Sequence, residues 1–167
     1  MSKKSLLKVC ALFAALFVAA AVPMAAADTP ACGAAQDQGE AAVRQRYAEN
    51  TVQGFVKGFE LSGRKVTPEQ RSQMQRVVWD SFPEFIALVK KAGLYDEYRK
   101  QLFDPEIREL DNQILKGTTI QEVTPLLQKE MQLISKRYPE LVKWTATNPD
   151  MQAFSARMMR KLAAILQ

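Results

Sequence analysis

Residues 67–89 read TPEQRSQMQRVVWDSFPEFIALV, and this stretch decides the fold class. Thr67 stands where a helix N-cap belongs, Pro68 takes the first helical position, and Gln70 can return the capping-box hydrogen bond. Met74, Val77 and Val78 then recur at helical spacing, and Phe85, Ile86, Leu88 and Val89 continue the apolar face as far as Gly93. Ser81-Phe82-Pro83-Glu84 repeats the start signal, so the pattern predicts a bend or a restart there.

The same punctuation recurs on both sides. Upstream, Val43, Tyr47, Phe55 and Phe59 give residues 40–61 an apolar face, and Ser62-Gly63 ends it. Gly54 and Gly58 weaken that helix by roughly 1 kcal/mol each relative to alanine, and their spacing leaves one side open to close approach. Downstream, a short helix is expected from Leu94 to Leu102. Asp104-Pro105-Glu106 starts another, carrying Ile107, Leu110, Ile114 and Leu115 and stopped by Gly117. Either Thr119, with Glu122 three residues later, or Thr124, before Pro125, caps the next, whose apolar residues are Leu126, Leu127, Met131, Leu133 and Ile134. Pro139 and Asn148-Pro149-Asp150 divide the remainder. The last helix carries Met151, Phe154, Met158, Leu162, Ile165 and Leu166. No stretch alternates with period two over a strand length. The expectation is an all-α domain over residues 40–167, a single bundle of about six or seven short helices.

The N-terminus reads as an export signal. Lys3, Lys4 and Lys8 precede an apolar run from Val9 to Pro23, and Met24-Ala25-Ala26-Ala27 supplies the small residues a signal peptidase reads. The run is short for a membrane span, which needs about 20 residues; a retained anchor is the alternative. Cleavage after Ala27 would leave 140 of the 167 residues, and residues 28–39, rich in Ala, Gly and Gln, read as a disordered leader. The expected compartment is periplasmic or secreted. Without the three signal lysines, 20 basic residues face 18 acidic ones, a net charge too small and too mixed to be a footprint for nucleic acid. Cys10 lies in the signal, so Cys32 is the sole mature cysteine. It can bridge only between chains, as a disulfide dimer, or remain a free thiol.

The chain has no histidine, which removes the commonest general base and metal ligand and rules out Ser-His-Asp or Cys-His sites within it. Zinc would need more thiolates or imidazoles than remain, and no phosphate loop or haem motif is present. No catalytic, cofactor or metal residues are assigned, and the chain is read as a non-enzyme. Asp104, Glu106, Glu109 and Asp111 form the densest acidic cluster. Asp104 and Glu106 suit a helix N-terminus, Glu109 beside Arg108 reads as solvated, and the helical spacing is wrong for calcium. Asp80 and Glu84 are read as flanking a cap.

Two groups of residues are candidates for recognition. Trp79, Phe82, Phe85, Tyr95, Tyr98 and Phe103 form either a core seam or a groove for an apolar ligand or partner helix. Arg157, Met158, Arg160 and Lys161 make the last helix basic and amphipathic, suited to a membrane surface, a partner, or the outer side of a bundle.

From Leu94 to Leu141 the order of features resembles a family of small exported bacterial helical proteins classed as a domain of unknown function. Tyr98, Asp104-Pro105-Glu106-Ile107, Gly117 and the stretch from Leu126 to Ile134 carry the likeness. The resemblance implies an exported helical domain and no particular activity. The leading functional expectation is an exported, non-enzymatic binding or assembly module for a partner protein or apolar ligand. The alternative is a peripheral envelope protein docking through its C-terminal helix.

Overall fold

The computed structural model describes residues 39–167. The expected signal peptide, almost all of the expected leader and Cys32 lie outside the described residues. Seven helices follow one another: α1 (Glu40–Leu61), α2 (Pro68–Lys91), α3 (Tyr95–Leu102), α4 (Pro105–Lys116), α5 (Ile120–Arg137), α6 (Pro139–Thr147) and α7 (Pro149–Ile165). No strand occurs among the described residues, so the all-α bundle is the observed architecture.

Local chemistry sets most of the boundaries. The Thr67 side chain accepts from the Gln70 amide, and the Gln70 side chain accepts in return from the Thr67 amide. Thr119 and Glu122 form a second capping box, which decides between the two candidate caps; Pro125 lies inside the helix, with the Thr124 hydroxyl donating to the Ile120 carbonyl. Asp104 and Asn148 accept from the first amides of α4 and α7, each followed by proline. Gly93, at φ 72°, closes α2 in a conformation that disfavours other residues.

Of the bend or restart expected around Pro83, the restart is absent. No restart occurs at Ser81–Glu84: α2 runs unbroken through Pro83. A proline inside a helix leaves the carbonyl four residues earlier without its N–H donor. Here that carbonyl belongs to Trp79, and Arg44 of α1 donates to it from Nε (3.3 Å) and Nη2 (3.0 Å). The same guanidinium lies 4.3 Å from the centre of the Trp79 ring. A residue on the neighbouring helix therefore compensates for the proline.

Helices α1 and α2 are antiparallel, tied at one end by Glu40–Lys90 (2.5 Å) and at the other by Glu60–Arg71 (3.6 Å). Helix α7 returns antiparallel along α2, with Glu84 bonded to Arg157 and the Gln70 amide bonded to the Ile165 carbonyl. Rings from three other helices converge on Phe85 of α2: Tyr47 stacks at 4.7 Å, Tyr98 meets it edge-on at 5.1 Å, and Phe154 lies at 5.8 Å. Helices α4 and α5 pack chiefly on each other; α4 also touches α1 and α3, and α5 leads into α6.

The proline compensation predicts coupling. Arg44→Ala should cost about 1–2 kcal/mol. In a Pro83→Ala background, where residue 83 supplies the missing N–H, the same substitution should cost at least ~0.5 kcal/mol less. Urea unfolding of the four proteins of the cycle measures the difference; equal costs in both backgrounds would refute the compensation.

Candidate functional site: a carboxyl pair inside a helical hairpin

The α4–α5 hairpin is built on a seam of alternating three- and four-residue steps, the spacing by which antiparallel helices interdigitate. Asp104, Ile107, Asp111 and Ile114 run up α4; Arg137, Ile134, Glu130, Leu127 and Val123 run down α5. All but Arg137 are buried. At the base, Arg137 grips both Asp104 oxygens (2.9 and 2.8 Å) and also bonds Glu106. Above it, Ile107 and Ile134 belong to the main core. Near the tip, Ile114, Val123 and Leu127 form a separate small cluster with Leu61 and Leu126 against it. Between the two apolar layers stand Asp111 and Glu130.

The tip is closed by Gly117. Its φ of −61° is ordinary; what it supplies is space, because a Cβ there would lie 2.6 Å from the Val123 Cγ2. Lys57 of α1 caps this end, donating from Nζ to the carbonyls of Leu115 (2.9 Å) and Gly117. A buried ammonium at a helix C-terminus satisfies orphan carbonyls and complements the dipole.

Asp111 is 1 % exposed and Glu130 fully buried. Burial foremost, and then the charge of Asp111 and a hydrogen bond with it, hold the Glu130 pKa far above the ordinary carboxyl range. Apart from Asp111, neither Glu130 oxygen has a hydrogen-bond partner, and the buried side-chain oxygens of Asn50, Gln53 and Asn112 have none. Arg46 faces the hairpin from α1. Burial lowers its pKa, with the nearby charge of Arg108 acting in the same direction, while Glu49 and Asp111 oppose. Arg46, Asn50, Gln53 and Lys57 share one flank of α1 at helical spacing, so the side of the hairpin facing α1 is joined to it through polar groups.

Asp104 behaves differently. Burial would raise its pKa, but hydrogen bonds from Arg137, from the Tyr138 hydroxyl (3.0 Å) and from the amides of Glu106 and Ile107 outweigh it and hold the carboxyl below its usual value. The acidic cluster seen in the sequence is thus divided. Asp104 and Glu106 clamp Arg137, Glu109 bonds Gln113 at the surface, and Asp111 turns inward. Among the described residues no group of three or more His, Cys, Asp or Glu is placed to hold a metal ion.

The residues singled out for recognition are placed as follows. Phe82, Phe85 and Tyr98 lie in the core, where Tyr47 and Phe154 fill the space between them, so they do not line an open groove. Phe103 packs against that core, Tyr95 is half-buried with the Lys90 ammonium 5.2 Å from its ring, and Trp79 is 38 % exposed beneath Arg44. The six therefore do not converge on one site. On α7, Met158 points inward with Met151, Phe154 and Leu162, leaving Arg157, Arg160 and Lys161 outside. Glu84, expected beside a cap, lies in mid-helix and meets Arg157; Asp80 is likewise helical. An open cleft of about 270 Å³ lies where α2 ends and α6 meets α7, lined by Leu88, Lys91, Ala92, Trp144, Asn148 and Asp150. No described helix is long and apolar enough to cross a membrane.

The chain thus belongs to the class of small all-α bundles, here with ionisable groups buried at a helical seam. No protein-family model, curated protein or solved structure matches it.

Asp104 generates a prediction. Its depressed pKa means that it stabilises the fold above the ordinary value of ~3.9 and that this contribution disappears as the pH falls through the depressed one. Asp104→Ala, which removes cap and charge together, should cost about 2–3 kcal/mol at pH 7. Asp104→Asn, which keeps the cap, should cost about 1 kcal/mol and flatten the acid limb of the stability profile. Urea unfolding from pH 7 to pH 3 reads both; an unchanged acid limb in the Asn variant would contradict the assignment.

Proposed function

We propose that this chain is an exported, non-enzymatic binding or assembly module, and that it engages a protein partner through the α4–α5 hairpin. The observation that carries the reading is the division of labour within the bundle. The aromatic side chains fill one another in the main core, which disfavours an apolar small molecule as the ligand. The hairpin carries its own small apolar cluster and meets α1 across a polar, incompletely paired seam. Apolar side chains of similar volume would make that seam at least as stable, and departures from the most stable choice concentrate at functional positions. Ile120 (41 % exposed) and Met131 (40 %) fall on one outer face of α5, a surface that a partner could cover. The signal-like N-terminal sequence supports a partner outside the cytosol.

Docking to a membrane through α7 is less favoured, because Met151, Phe154, Met158 and Leu162 of that helix lie in the core. Such docking would rest chiefly on Arg157, Arg160 and Lys161.

The test is site-specific photo-crosslinking of the exported protein in its native host. A photoreactive residue at Ile120 or Met131 is expected to trap one and the same protein. A probe at Gln75 on α2 should not trap it, and Leu126→Asp on the hairpin should weaken its capture. Absence of a common adduct, or equal trapping at Gln75, would overturn the hairpin reading. Co-sedimentation with anionic vesicles that is abolished by Arg160→Glu with Lys161→Glu would favour the membrane reading instead.

A further inference from the structure

We propose that Asp111 and Glu130 form a proton-operated latch: while one proton is held between the two carboxyls the α4–α5 hairpin seats against α1, and when that proton leaves to solvent the hairpin is released. The latch is a property of the chain alone and stands or falls separately from the identity of any partner.

The geometry supports this in three ways. The two carboxyls occupy facing positions of one helical seam, in a layer closed above by Ile114 and Leu127 and below by Ile107 and Ile134. Two like charges in hydrogen-bond contact and buried from solvent cannot both persist. Second, the surroundings are asymmetric. Arg46 on α1 favours an ionised Asp111, whereas Glu130 is fully buried and its hydrogen bond with Asp111 favours the protonated form. The proton therefore resides on Glu130. Third, the flank of α1 facing the hairpin offers Arg46, Asn50, Gln53 and Lys57, all of which can be hydrated, so separation there exposes polar groups and, of the apolar contacts with α1, that of Leu61 with the tip cluster.

The other charged groups around the pair do not duplicate its response. On α1, Glu49 lies 3.9 Å from Arg46, and Lys57 is held by carbonyls at the hairpin tip. Arg108 on α4 adds positive field. On α3, Glu97 acts on Tyr138 at the hairpin base rather than on the pair. Asp104 titrates on the acid side of its ordinary value.

The sign follows from linkage. A carboxyl whose pKa is raised in the seated state stabilises that state fully below the ordinary value of ~4.3, and the contribution is lost progressively as the pH rises above it. The hairpin is therefore held tightest under mildly acidic conditions and loosens through neutrality.

The test is hydrogen exchange of the mature protein, corrected for the intrinsic rate, between pH 5 and pH 9. The opening constant of the α4 and α5 amides should rise by up to ~10-fold per pH unit, while α2 and α7 amides show no such trend. Glu130→Gln should remove the slope, and Glu49→Gln should keep it. A flat wild-type profile, or a slope that survives Glu130→Gln, overturns the latch. Should Glu130→Gln fail to fold, infrared spectroscopy of the wild type decides. A buried protonated-carboxyl band at pH 7 that disappears together with hairpin protection on alkalinisation supports the proposal, and absence of that band at pH 7 overturns it.

Discussion

One carboxylate holds four helix ends together. Asp104 follows the last turn of α3 and caps the first turn of α4, and it takes hydrogen bonds from Arg137 and Tyr138, where α5 gives way to α6. It adds direction to the base of the hairpin, where the contacts of Ile107 and Ile134 with the main core are apolar and non-directional. A bidentate guanidinium–carboxylate pair supplies the orientation that greasy packing cannot. Everything above that base, including the layer in which Asp111 meets Glu130, inherits its register from this point.

That inherited register explains why the hairpin is layered. Four of its five rungs are unremarkable: an ion pair, two apolar layers, and a glycine facing a valine. The middle rung places two acids face to face, and polar residues at such positions are known chiefly for selecting one alignment of helices over its neighbours. A shift of the hairpin by one turn would bury Glu130 against isoleucine with no second carboxyl to share its proton. The same rung divides the apolar interior into a large cluster centred on Phe85 and a small one at the tip.

The helices were legible because their ends are written locally. Thr67 with Gln70, Asp104 before Pro105 and Asn148 before Pro149 each decide a boundary within a few residues. Pro83 misled because its consequence is not local: the donor that replaces its missing N–H comes from Arg44, on another helix. The buried acids were missed for a related reason. Charged residues are seldom fully buried, and tracing α5 through Leu127, Met131 and Ile134 passes over Glu130. The signal was the step from Leu127 to Glu130 to Ile134, matched on α4 by Ile107, Asp111 and Ile114, which sets each acid inside an apolar seam. The aromatic residues were the converse case, since composition alone cannot distinguish a groove from a core whose rings fill one another.

Lys57 carries a consequence of its own. Its amine is tucked beneath the carbonyls at the tip of the hairpin, whereas Lys100, Lys116 and Lys136 are exposed. A mild acylating reagent would therefore mark the surface lysines first and reach position 57 only in molecules whose hairpin has swung away. The chain carries a built-in chemical reporter of its own opening, readable by mass in a crude extract without any engineered label.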